Sequence, residues 1–185
     1  GNTVPLKRNL SPGECIPLMN ELCDKYVESI NMSIIEDNEA IVIYNSEPNI
    51  VLKATNTIGD RQPLYCTAKG KLYLSQMPEK KIYDYYRETK IETFTPNTII
   101  TPGKMLNELY DIRQCGYAMD REEHCDGLTC ISMPIKNFQN KIVATLSCSG
   151  PTHRILSKLE ANGNLKADLK EACRKLSQHM GYTEE

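Results

Sequence analysis

The sequence has no excess of charge of either sign. Its 22 lysine and arginine residues nearly balance its 24 aspartate and glutamate residues, which leaves a formal net charge of −2. A balanced surface creates no summed field that would attract nucleic acid or anionic lipid. Unaided DNA binding is therefore not expected of this chain.

Long apolar runs are also missing. No segment approaches the roughly 20 apolar residues that cross a bilayer, and the first residues do not combine a charged start with an apolar stretch. These two absences predict a cytoplasmic protein. The chain starts at Gly1 without a methionine, so we expect a fragment in which residues 1–13 are a linker and residues 14–185 form one domain.

The eight cysteines are scattered, and no Cys-x-x-Cys pair occurs. In a chain of this length without a secretion signal, scattered cysteines indicate reduced thiols rather than a disulfide framework. Cys23 and Cys173 lie on apolar helix faces and are expected to be small buried hydrophobic residues.

Apolar periodicity and capping residues predict five helices. They cover Pro17 to about Asn31, Thr67 to about Gln76, Glu79 to Lys90, Thr101 to Gly116, and Leu165 to Gly181. Segments rich in β-branched residues predict strands at Met32–Glu36, Ala40–Ser46, Asn49–Thr55, Leu128–Ile135 and Ile142–Ser149, and Asp60–Pro63 is predicted as a loop.

The order of these elements predicts the fold class. The last two strands are joined by a short segment with Asn137 and Asn140, which suits a hairpin turn. No regular strand–helix–strand alternation occurs, so the sequence predicts an α+β domain with an antiparallel sheet.

Four local patterns point to one family. They are Pro63-Leu64-Tyr65-Cys66-Thr67-Ala68-Lys69-Gly70-Lys71, Phe94-Thr95-Pro96-Asn97-Thr98-Ile99, Gly116-Tyr117-Ala118-Met119-Asp120-Arg121-Glu122-Glu123, and Leu146-Ser147-Cys148-Ser149-Gly150-Pro151. Together they resemble, in order and spacing, the C-terminal effector-binding domain of the isocitrate lyase regulator (IclR) family of bacterial transcriptional regulators. The resemblance runs from about Pro17 to Tyr182.

The resemblance carries several expectations. It implies a GAF-like α+β fold, a role in transcription regulation as part of a repressor or activator, and assembly into homodimers and homotetramers. Operator DNA would be bound by an N-terminal winged helix-turn-helix domain that this chain lacks. The effector would be a small organic acid, with no other cofactor, and the implied effector-binding residues are Ala68, Lys69, Gly70, Asp120, Cys130, Ser147 and Ser149.

The residues themselves leave the role of this site open. Thr67 starts a helix whose first N–H groups and dipole suit a carboxylate, and Lys69 or Lys71 adds charge if its side chain turns inward. Gly70 could equally serve only close packing, with both lysines in solvent. Ser147 and Ser149 lie on the same face of a strand because side chains alternate. Their hydroxyl groups could contribute to a binding site only if that face is not exposed to solvent.

Two other functions use the same region. His124, Cys125 and Cys130 are ligand types for zinc, and Cys66 or Cys148 could complete a tetrahedral site, although their spacing is irregular. Alternatively, Cys130 could be the nucleophile of a thiol enzyme with His124 as its base. The acidic residues around Cys130 disfavour that reading because they raise the pKa of a thiol.

Overall fold

The computed structural model describes residues 10–160 and 163–181. The helices are α1 (Pro12–Tyr26), α2 (Ala68–Leu74), α3 (Glu79–Glu88), α4 (Pro102–Cys115), α5 (Thr152–Leu159) and α6 (Leu165–His179). The strands are β1 (Ser29–Glu36), β2 (Glu39–Ser46), β3 (Arg61–Pro63), β4 (Ala118–Arg121), β5 (Leu128–Lys136) and β6 (Ile142–Pro151). None of these helices is both long and apolar enough to cross a membrane.

The six strands form one antiparallel sheet in the order β3-β2-β1-β6-β5-β4. Helices α1 and α6 pack on one face, and α2 packs on the other, together with α3 and α4. The expected α+β class with an antiparallel sheet is therefore confirmed.

The two faces of the sheet differ in polarity because side chains alternate along each strand. The face beneath α1 and α6 is apolar and includes Ile30, Met32, Ile131, Leu146 and Cys148. The opposite face of the same strands carries buried polar side chains, namely Asn31, Ser33, Ser132, Thr145 and Ser147. A buried polar surface of this kind needs hydrogen-bond partners, and some of these partners come from α2.

The first predicted helix was placed too far along the chain. Helix α1 begins at Pro12 rather than at Pro17, and it ends at Tyr26, where Val27 adopts a left-handed conformation at φ 52°. Residues 29–34 alternate between polar and apolar types and form β1, so extending the helix to Asn31 was wrong. Of the predicted linker over 1–13, residues 1–9 lie outside the described residues.

The third predicted strand was also wrong. Residues 49–55 run irregularly, with Val51 and Leu52 exposed, and the strand that pairs with β2 is Arg61–Pro63, which had been predicted as a loop. Pro63 is tolerated there because β3 is the edge of the sheet. Helix α5 was not predicted from the sequence, and neither was β4, the strand that contains Asp120.

The capping and turn predictions are confirmed. Thr67 accepts a hydrogen bond from the Gly70 N–H, Thr101 accepts one from the Lys104 N–H, and Gly116 ends α4 at φ 82°. Asn137 and Asn140 form the turn between β5 and β6. These contacts are local in sequence, which is why the sequence reveals them.

The apolar stripe of the last helix packs inside this chain. Leu165, Leu169, Ala172, Cys173 and Leu176 are all buried in the core beneath the sheet. The sequence left open whether this stripe covers the sheet or a partner subunit. It covers the sheet, so it is not available as an interface.

Candidate functional site

A cavity of about 310 Å³ lies between the polar face of the sheet and the start of α2. A loop closes one side with Lys53, Ala54, Thr55 and Asn56, and the segment after β4 closes another with His124 and Cys125. Its remaining wall comes from β1, β4, β5 and β6. The cavity has the position and size of a small-molecule site.

Three of the predicted site residues stand side by side across neighbouring strands. Asp120 of β4 pairs in register with Cys130 of β5, and Cys130 pairs with Ser149 of β6. Ala68 and Lys69 reach the same cavity from α2. Five of the seven residues that the family resemblance implied therefore line one cavity.

The other two implied residues lie outside the cavity wall. A Cβ atom at Gly70 would stand 2.3 Å from the backbone of Leu64, so this glycine permits the close approach of α2 to the preceding loop. Ser147 is fully buried, and its hydroxyl lies 2.5 Å from the Ser132 hydroxyl. Neither residue is among those that line the cavity.

Asp120 is a buried carboxyl group at one end of the cavity. Its Oδ1 atom accepts a hydrogen bond from the Glu123 N–H at 2.7 Å. Burial raises the pKa of Asp120 to about 6, and the charge of Glu123 acts in the same direction. Near neutral pH this group is a hydrogen-bond acceptor whose ionisation responds to what occupies the cavity.

The two lysines of α2 both turn inward, which excludes the alternative in which both are solvated. Lys69 donates hydrogen bonds to Asn31 Oδ1 and Ser33 Oγ, each at 3.1 Å. Lys71 is fully buried and lies 2.7 Å from carboxylate oxygens of both Glu108 and Glu123. Lys69 lines the cavity. Lys71 instead forms ion pairs that connect α2 to α4 and to the turn after β4.

The geometry gives no support to a thiol enzyme. Burial raises the pKa of the Cys130 thiol, which contacts Ser149 and Ser132, and no hydrogen bond in the described part of the chain joins it to His124. Burial and the charge of Lys69 lower the pKa of His124, whose ring packs edge-on against Phe94 at 4.9 Å. A thiol kept protonated is a poor nucleophile.

The zinc hypothesis also lacks support. Within residues 10–160 and 163–181, no three His, Cys, Asp or Glu side chains come close enough together to hold a metal ion. Cys148 belongs to the apolar core on the opposite face of the sheet, and Cys125 is exposed. His124, Cys125 and Cys130 line the same cavity without forming a ligand set.

The sequence analysis missed Asn31 and Thr129, which also line the cavity. Asn31 was missed because the segment was assigned to the first helix. The alternation of Ser29, Asn31 and Ser33 with apolar residues is the signal that identifies the strand.

A larger cavity of about 460 Å³ lies on the other side of the molecule, between α6, β5 and the end of α4. Tyr117, Met133 and Lys166 are among its lining residues, and it contains none of the predicted site residues. Lys166 and Lys170 of the larger cavity are exposed, whereas the smaller cavity holds buried polar groups that come from several elements. The smaller cavity is therefore the better candidate site.

The fold is that of an α+β domain with a cavity between one face of its sheet and the start of α2. The chain belongs to the family described as bacterial transcriptional regulator IclR, C-terminal, whose family model matches residues 13–178. It is thus the C-terminal domain of an IclR-type regulator.

Individual relatives agree with this assignment. The chain is 36% identical over 159 residues to the DNA-binding transcriptional repressor YiaJ of Escherichia coli K12, which covers 84% of this chain and 56% of that protein. The crystal structure of the transcriptional regulator YaiJ is 34% identical, with a TM-score of 0.85 over 93% of this chain and 96% of that one.

A third similar structure is the inducer-binding domain of the transcription factor PobR from Acinetobacter, a double mutant in complex with 3-hydroxybenzoic acid. It is 23% identical, with a TM-score of 0.81 over 90% of this chain and 97% of that one, and it supports the fold. The chain spans about half to three fifths of the length of the curated relatives it matches.

Proposed function

We propose that this domain binds a small organic acid in the 310 Å³ cavity and thereby changes the operator affinity of the regulator to which it belongs. The observation that carries the proposal is the convergence of Ala68, Lys69, Asp120, Cys130 and Ser149 on one cavity. Because the inducer-binding domain of PobR shares this fold and is described in complex with a hydroxybenzoic acid, a carboxylic acid is a reasonable ligand class.

Control of transcription requires a second domain. In the full-length regulator, residues before α1 would link the effector domain, taken as 14–185, to a winged helix-turn-helix that contacts the operator in the cytoplasm. A ligand shifts such an equilibrium only by its difference in affinity for two arrangements of the regulator. The relatives that are named repressors support a repressor, and they favour a regulator over an enzyme.

Self-association is part of the same proposal. The stripe of α6 is buried within the chain, but Val51, Leu52 and Ile58 expose apolar side chains in the loop between β2 and β3. Dimers or tetramers would cover such residues. Light scattering at micromolar concentration should therefore find a species larger than the monomer, and a monomer alone would contradict the proposal.

The ligand class is tested by thermal unfolding in the presence of keto acids, sugar acids and hydroxybenzoic acids. At one hundred times its dissociation constant, a ligand stabilises the native state by about 2.7 kcal/mol, which raises the melting temperature by several degrees in a domain of this size. A panel that leaves the melting temperature of the folded protein unchanged would count against the proposal.

Ser147 and Ser149 provide a matched pair of variants to locate the binding site. They lie on one face of β6, but only Ser149 lines the cavity. Ser149→Ala should lose much of the ligand-induced rise because an unpaired ligand group costs about 1–3 kcal/mol. Ser147→Ala should keep that rise. The opposite result would place the ligand elsewhere.

A further inference from the structure

Lys69 is a buried cation without a carboxylate partner. Its residue is only 4% exposed, and no ion pair involves it among the residues that the structure describes. Its neighbour Lys71 is equally buried but lies between two glutamates, Glu108 and Glu123. A buried charge normally requires a counter-charge, so Lys69 is the group whose environment is incomplete.

Asn31 places a second free donor next to this ammonium group. Its Oδ1 atom accepts hydrogen bonds from both Lys69 and Ser33, but its Nδ2 atom donates to no group in residues 10–160 and 163–181. Asn31 is 1% exposed, and both it and Lys69 line the cavity. Lys69 has three N–H donors, of which two are used here, so Lys69 and Asn31 each have a hydrogen-bond donor left for a ligand.

The two ends of the cavity have different chemistry. Asp120 lies on β4 and Asn31 on β1, three strand-to-strand steps apart, which corresponds to about 14 Å between their backbones. One end therefore offers a cation and amide donors, and the other offers a carboxylate. A ligand with acid groups at both ends would meet repulsion from Asp120.

We propose that Lys69 and Asn31 bind the carboxylate of the effector, and that Asp120 accepts a hydrogen bond from a hydroxyl or N–H group at its other end. The inference rests on the proposed function and deepens it. The ligand class is then a monocarboxylic acid with a donor group, in preference to its neutral amide or to a dicarboxylic acid.

Lys69 also makes acid binding depend on pH. Burial lowers the pKa of its ammonium group to about 8. The ionisable groups that face it or line the same cavity are Lys53, Asp60, Asp120, His124, Cys125 and Cys130. Lys69 loses its charge as the pH rises through its pKa, so affinity for the acid should fall above about pH 8, while affinity for any neutral ligand should not follow this titration.

Paired probes test the proposal by calorimetry and thermal shift. We would compare 3-hydroxybenzoate with its neutral amide, 3-hydroxybenzamide, and with the dicarboxylic acid 5-hydroxyisophthalate. The variants are Lys69→Met, Asn31→Ala and, as a matched control, Lys25→Met, since Lys25 lies outside the cavity and pairs with Asp168 at 2.7 Å. The monocarboxylate should bind the wild-type protein at least about ten-fold more tightly than its amide, because hydrogen bonds to charged groups are the stronger ones.

Lys69→Met should remove the preference for the acid over its amide, lower acid affinity about ten-fold or more and abolish the decline above pH 8. Lys25→Met should change none of these. Asn31→Ala should lower acid affinity with the pH dependence retained. Equal binding of acid and amide by the wild-type protein, or unchanged acid affinity in Lys69→Met, would overturn this inference but leave the proposed function standing. Failure of every acid and amide to bind would reject the proposed function, and this inference with it.

Discussion

At the scale of single residues, Gly70 shows how a motif position can serve packing beside a binding site. The glycine follows Lys69 in the sequence, yet its α-carbon faces the backbone of Leu64 rather than the cavity. The motif thus combines Lys69, which lines the cavity, with Gly70, which lets α2 approach the preceding loop closely.

Replacing Gly70 by alanine should destabilise the fold. The new Cβ atom would stand 2.3 Å from the Leu64 backbone, which cannot move aside as a flexible side chain would. Overpacking of this kind costs about 1–3 kcal/mol, and the melting temperature should fall by several degrees. Gly103→Ala is the control because nothing lies within 4 Å of that position, and it should leave stability unchanged or raise it slightly. Equal effects of both variants would contradict this explanation.

Asp120 should make the stability of the domain fall with rising pH. Burial raises its folded-state pKa to about 6, above the unfolded value, so the folded state binds more protons in this window. Its stabilising contribution is therefore complete below about pH 4 and is lost as the pH rises through 6. Urea unfolding should show wild type losing about 2–3 kcal/mol relative to Asp120→Asn between pH 4 and pH 7. Parallel pH profiles for the two proteins would rule out the shifted pKa.

At the scale of the elements, Lys71 connects three of them. Its ammonium group joins α2 to Glu108 on α4 and to Glu123 in the turn that follows β4, and Glu123 in turn donates its N–H to Asp120. The wall of the cavity and the outer helices therefore share one hydrogen-bonded network.

Lys71→Met should be severely destabilising. It would leave two carboxylates, one of them almost fully buried, without their counter-charge, and breaking a buried ion pair in this way costs about 3–5 kcal/mol. Arg61→Met is the matched control, because Arg61 forms only exposed pairs with Glu36 and Glu39, which are worth about 0–1 kcal/mol. Denaturant unfolding measures both. A Lys71→Met protein as stable as Arg61→Met would show that the buried network contributes little.

At the scale of the whole molecule, the balanced charge bears on DNA binding. With a net charge of −2, this chain alone should show no sequence-selective duplex binding at physiological salt. Electrophoretic mobility shift with operator-length duplexes measures this directly. Nanomolar, sequence-selective binding by the isolated domain would overturn the division of labour proposed above.

The sequence alone determined features that depend on near neighbours in the chain. The caps at Thr67 and Thr101, the Asn137 turn and the long strands β5 and β6 are all local, and the order of elements followed from them. The family resemblance also pointed to Asp120, Cys130 and Ser149, which line one cavity in the structure.

Only the tertiary structure decided which polar residues share the cavity. Asn31 was not predicted as a cavity residue because residues 17–31 were assigned to a helix. Helical and alternating patterns cannot be distinguished in so short a segment. Residues 29–33 form a strand because they pair with β6. The sequence likewise did not distinguish Lys69, which faces the cavity, from Lys71, which is bound by two glutamates distant in the chain. Burial and charge pairing depend on residues that are distant in the chain. The different environments of Lys69 and Lys71 are therefore visible only in the folded domain.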